Sequence, residues 1–245
     1  MTDPAMMPPA PADQPGLVED FVDIFAAPAK VFARRAKEGG AAAFFAVAIA
    51  LAAILYSGKN VMEPIMEAQT TKAMAAAQAK NPAMTAEQVQ AGIAMQKKLM
   101  PVFMVIGAPL TLFVVGLLVW AVGKPFGAAI TFGSSMMIAA FAYVPRIIGG
   151  VIIDIQGLLT NDFSTLVNPS QVSLSPARFL DAATANATVL ALLLRFDLIT
   201  IWVTVLIGVA YASAGKMPRG RAIVAASVVW LVGTLFALWG ALRSG

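Results

Sequence analysis

Five runs of apolar residues set the terms on which this chain can fold. They are AAAFFAVAIALAAILYS (41–57), FMVIGAPLTLFVVGLLVWAV (103–122), FGSSMMIAAFAYVPRIIGGVII (132–153), residues 198–214 of LLLRFDLITIWVTVLIGVAYASAG, and AIVAASVVWLVGTLFALWGAL (222–242). Each approaches the roughly 20 residues that a helix needs to cross hydrocarbon. Inside lipid a backbone must satisfy its own hydrogen bonds, so such runs fold as helices. Charged residues make up only 12% of the chain, against about 25% in soluble domains. The expected fold is all-α: a polytopic membrane protein with five transmembrane helices, an N-terminal interfacial amphipathic helix and a helical extramembrane loop.

The connections differ in length. Residues 123–131 and 215–221 are short, so spans two and three, and spans four and five, form antiparallel hairpins. Residues 58–102 and 154–197 are long outer loops. The first of these is itself helical. EPIMEAQTTKAMAAAQAK is built from good helix formers. In MTAEQVQAGIAMQKKLMP, Thr85 stands three residues before Gln88 as in a capping box. The pattern predicts two helical arms packed outside the bilayer, the second entering span two at Pro101.

The first 16 residues, MTDPAMMPPAPADQPG, are proline-rich and are expected to be a disordered tail. They carry no basic region followed by an apolar core, so span one is expected to act as a signal anchor rather than a cleaved leader. Residues 17–40 then place Val18, Phe21, Phe25, Pro28 and Phe32 on one helical face. Pro28 suits a first helical position, where its missing N–H costs nothing. The segment is too polar to span. It reads as a helix lying in the membrane interface, with Lys30, Arg34, Arg35 and Lys37 on lipid phosphates. The competing reading packs it on the protein's own loops. Lys216, Arg219 and Arg221 are further headgroup candidates.

The chain has neither cysteine nor histidine. That removes thiol nucleophiles, disulfides, thiolate or imidazole metal sites and serine–histidine triads. No phosphate-binding loop, GxSxG motif or paired helical carboxylates stand out. The expectation is a non-enzyme without cofactor or metal. The net charge of +4 is assigned to residues flanking the spans, not to nucleic acid. Basic residues concentrate close to the membrane around 30–37, 124 and 216–221, which orients the N-terminus toward the cytoplasm and the C-terminus outside.

Charges at the edges of spans three and four need an explanation, because ions are costly in hydrocarbon. Arg146 lies 14 residues into span three, about 21 Å along it. Asp197 opens span four, and Arg195 and Asp154 fall near the same level. An ion pair between Arg146 and Asp197 would clamp the last hairpin to span three; the alternative is two solvated end charges. Pro145 is expected to kink span three. Small residues at four-residue spacing (Ala42, Ala46 and Ala50; Gly233 and Ala237) and the Gly149–Gly150 pair permit close helix approach.

The order of these parts resembles a family. DIFAAPAKVF precedes a span, AYVPRIIGG precedes a long loop, and FDLITIWVTVLIGVAYASAGKMPRGRAIVAASVVWL follows. This is similar to the YIP family, the Ypt/Rab-interacting membrane proteins, in its bacterial branch. Pro28, Phe32, Pro145, Asp197, Trp202 and Gly208 carry the likeness, with structural roles. The resemblance implies five spans, a cytosolic N-terminal region and residence in a bacterial inner membrane. A small GTPase partner is not expected of a bacterial member. The functional expectation is a non-enzymatic protein that organises lipid, a membrane-protein partner or copies of itself. The alternative is a small transporter with a polar site around Arg146 and Asp197.

Overall fold

The computed structural model describes residues 16–36, 40–159, 165–181 and 184–244. Residues 1–15 of the tail expected at 1–16 and the headgroup candidate Lys37 lie outside the described residues. Among those described, every regular element is helical: α1 (Leu17–Ala26), α2 (Pro28–Arg35), α3 (Ala41–Ser57), α4 (Lys59–Lys80), α5 (Ala86–Gly123), α6 (Phe132–Leu158), α7 (Ala187–Leu194), α8 (Leu198–Ser213) and α9 (Arg219–Ser244), with 3₁₀ turns at Pro169–Val172 and Pro176–Phe179.

Three of these, α5, α6 and α9, are each long and apolar enough to cross a membrane alone. The shorter α3 and α8 qualify with their neighbours as bent pairs, α3 with α4 at 77° and α7 with α8 at 50°, which brings the total to as many as five. The chain is thus a polytopic helical membrane protein. The central helix is α6, half of whose apolar window is buried, against 22% for α5 and 28% for α9. It packs against α3, α5 and α8. The outer helices turn Phe103, Ile106, Leu110, Leu235 and Phe236 outward, as a surface solvated by acyl chains requires.

The 38-residue α5 is about 57 Å long, so a hydrocarbon core of about 30 Å leaves about 27 Å outside it. That projecting part packs on α4 as the sequence leads one to expect. Thr85 caps it, accepting from Gln88 N while the Gln88 side chain accepts from Thr85 N. Lys97 bridges Glu63 at 2.9 Å. Its hydrogen bond to Glu63, with the nearby negative charges, holds Lys97 above the ordinary lysine value.

Hydrogen bonds sort the connections into two ends. At one, Ala129 N donates to Gly215 O, joining the α5–α6 and α8–α9 turns, and Ser134 Oγ donates to Ala36 O at the end of α2. At the other, Ser57 Oγ donates to Asp154 across α3 and α6, and Asp197 at the head of α8 accepts from Leu174 N.

The N-terminal segment differs from the flat interfacial helix. It breaks at Ala27 (φ −141°, ψ 52°), where the following proline disfavours helical geometry. The halves α1 and α2 fold into a hairpin that packs on α6 and α8. Ile24, Val31 and Phe32 are completely buried, while Val18, counted on the expected apolar stripe, is 77% exposed. The reason is that α6 and α8 offer a ring-lined cleft, so the buried face rotates toward Phe21, Ile24 and Phe25. Pro28 starts α2 as expected.

Candidate functional site

The hairpin and its cleft form the first group of candidate residues. At the tip, Phe25 meets Trp202 edge-on at 5.2 Å. Trp202 lies 11 residues before the end of α8, about 16 Å from the α8–α9 turn at 1.5 Å per residue. Deeper in, Phe141 receives Phe21 at 5.6 Å and Phe32 at 6.5 Å. Near the base, Asp20 is completely buried and accepts hydrogen bonds from Arg34 and Arg35. Arg34 also reaches Asp23 at 3.1 Å. A buried carboxylate is tolerable only when paired and hydrogen-bonded, and the two arginines supply both. Arg34 and Arg35, expected on lipid phosphates, therefore have carboxylate partners within the hairpin. Lys30 is exposed, as are Lys216, Arg219 and Arg221.

The second group sits at the opposite end, between α6, α8 and α9. Asp197 is the N-cap of α8: one carboxylate oxygen accepts from Ile199 N (3.0 Å) and Thr200 N (3.3 Å), the other from Leu174 N (2.9 Å). A helix start exposes unpaired N–H groups and a positive dipole end, which is where a carboxylate is best placed. This explains an aspartate at the edge of an apolar run.

The ion pair between Arg146 and Asp197 does not form, because Asp197 is turned to the helix start. Arg146 instead donates to Thr200 Oγ1 at 2.8 Å, and its guanidinium lies 5.7 Å from the Tyr143 ring centroid. Thr200 thus joins the two, its N–H held by Asp197 and its hydroxyl by Arg146. Arg195 turns to α9, donating from Nε to Thr234 Oγ1 at 3.2 Å while its carbonyl accepts from Trp230 Nε1. Asp154 is drawn to the α3–α4 bend, accepting from Ser57 Oγ at 2.7 Å; a Cβ on Gly58 would strike its carboxylate.

Of the remaining motif positions, Pro145 is buried within α6, which continues through it as helix. Gly208 lets α8 lie against α9, its Cβ position 3.5 Å from that of Ala226. Sequence reasoning missed Asp20 as a buried group and missed Thr200 and Thr234 as hydroxyl partners. The signal for Asp20 was the matching of Asp20 and Asp23 with Arg34 and Arg35 across a proline break. Among the described residues, no three acidic side chains gather as a cation site would require.

A protein-family model described as the Yip1 domain matches residues 22–241, which takes in the second group and all of the first but Asp20 and Phe21. No curated protein and no solved structure matches the chain.

Proposed function

Because this chain belongs to the Yip1 domain family, we propose that it works as a non-enzymatic membrane scaffold whose projecting α4–α5 arm receives a protein partner or a second copy. The observation that carries this reading is the unbroken course of α5 from arm to span. A partner held on the arm is then coupled rigidly to the bundle. The arm also keeps apolar side chains outward, with Met95 58% and Leu99 37% exposed, and flexible methionine suits an adaptable contact surface. Two cavities line it, one among Glu63, Met66, Ile93 and Met100 and one beside Pro64, Ala68 and Ala75.

We assign the arm to the outer side of the membrane. Exposed Lys124, Lys216, Arg219 and Arg221 sit on the turns at the opposite end, which cytoplasmic placement favours. We place that membrane as a bacterial inner membrane, a reading supported by the sequence's resemblance to bacterial members of the family.

The test is site-specific photo-crosslinking in native membranes, with the probe at Met95 and a control probe at lipid-facing Phe236. Met95 is expected to yield a protein adduct and Phe236 lipid adducts. Lipid adducts alone from Met95 would overturn the reading. The transport alternative has less support, since Asp197 is occupied by three backbone N–H groups. Liposome flux abolished by Asp197→Asn, which preserves the cap, would restore it.

A further inference from the structure

At the end of the bundle that carries Asp197, Arg146 and Arg195 stand with Asp154 and Asp197 but hold neither carboxylate by a hydrogen bond. Arg146 and Arg195 are close enough for each to oppose the other's charge, with Asp197 as the favourable neighbour of Arg195. Among the described residues, neither guanidinium has a carboxylate partner in hydrogen-bond contact. Asp197 spends both oxygens on backbone N–H groups, and Asp154 is engaged at Ser57. What the arginines do have is one threonine hydroxyl each. Arg146 Nε is buried with no hydrogen-bond partner. Arg195 Nη2 lies over Gly233, 3.1 Å from where a Cβ would stand, so the absent side chain lets the guanidinium lie against α9.

Two half-buried guanidiniums with unused donors are a poor arrangement for a protein by itself. Each offers five N–H donors in a fixed fork, and like charges at close range raise the cost of burial. An anion between them reverses both terms, and the fork geometry matches phosphate. The neighbours in sequence are apolar and outward: Ile148 is 42% exposed, Phe196 45% and Leu198 59%, a surface for acyl chains beside the charged pair.

We propose that Arg146 and Arg195, spaced by Thr200 and Thr234, form a binding site for the phosphate group of a membrane phospholipid at the Asp197 end of the bundle. The site is separate from the α4–α5 arm and does not depend on a partner there.

The experiment is native mass spectrometry of the full chain released from detergent, with three probes: phosphatidylglycerol, diacylglycerol and inorganic phosphate. The wild type is expected to retain phosphatidylglycerol and not diacylglycerol. The double variant Arg146→Gln with Arg195→Gln is expected to bind it at least about tenfold more weakly, the factor for about 1.4 kcal/mol. Equal retention by both proteins overturns the proposal. Binding of inorganic phosphate at the same affinity as the lipid overturns the lipid source and assigns a soluble anion.

Thermal stability gives a second readout that a purely structural arginine would not produce. In neutral detergent the single variant Arg146→Gln is expected to melt at or above the wild-type temperature, because a repulsion is relieved. With phosphatidylglycerol present, it is expected to melt below the wild type. A deficit of the same size with and without the lipid would overturn the proposal.

Discussion

Asp20 gives the sharpest test of how the N-terminal hairpin is held. The side chain is completely buried, and Arg34 and Arg35, whose side chains are 19% and 18% exposed, both donate to it. Asp20→Asn keeps the volume and one acceptor but removes the charge that both guanidiniums require. A hydrogen bond to a charged group contributes about 1.5–3 kcal/mol, and breaking a buried ion pair costs about 3–5 kcal/mol. The arginines regain some hydration where they are exposed, so the expected loss is about 2–4 kcal/mol. At about 1.4 kcal/mol per decade, a loss near 3 kcal/mol raises the undocked population about a hundredfold. The natural chain has no cysteine, so Ile24→Cys installs a single thiol at a position with zero exposure. Its labelling by a membrane-impermeant maleimide follows the undocked population when docking is fast. The rate should rise about a hundredfold in the Asp20→Asn background. Equal labelling rates in two equally inserted proteins would refute the claim that this ion cluster holds the hairpin in its cleft.

Three further outcomes follow from the same geometry. Gly40→Ala should lower stability by about 1–3 kcal/mol or displace the α2–α3 turn, since the new Cβ would stand 2.5–2.7 Å from the Met137 backbone and Cβ; thermal unfolding in detergent measures it. Asp197→Ala should cost about 1–2 kcal/mol as a lost cap while Asp197→Asn costs only a few tenths to about 1, and a charge swap with Arg146 should rescue neither; an equal loss for Ala and Asn would show that charge, not capping, decides. Lys97 has a raised value, so its contribution is present at neutral pH and is lost only as pH rises through that value, above the ordinary 10.5. Crosslinking between the arms across Glu63 and Lys97 positions should therefore stay constant from pH 6 to 9.

What the sequence made legible was whatever depends on local chemistry. The apolar runs became helices because lipid leaves the backbone no other partner. Thr85 and Gln88 closed their box, and Pro28 began α2, because caps and proline act within one turn. The hairpin was not legible in the same way. Nothing in residues 17–36 says whether an apolar face meets lipid or protein; that choice was made by Phe141 and Trp202, more than a hundred residues away. The ion pair expected from equal depth failed for a related reason. Equal depth suggested one level for Arg146 and Asp197, but direction is set by competing partners: the start of α8 offered Asp197 two N–H groups and Leu174 a third.

That competition orders the charges of the whole bundle. Three carboxylates near its ends are taken by something close: Asp197 by the start of α8, Asp154 by Ser57 at the α3–α4 bend, Asp20 by Arg34 and Arg35. The long arginine side chains reach farther and are left with what remains. Within the hairpin that is a carboxylate, so the cluster is neutralised and can be buried. At the Asp197 end, among the described residues, Arg146 and Arg195 are left with threonine hydroxyls, beside exposed Phe196 and Leu198. The contrast follows from the order in which acceptors are claimed, and it makes one basic group part of the fold and the other free to meet the membrane's own anions.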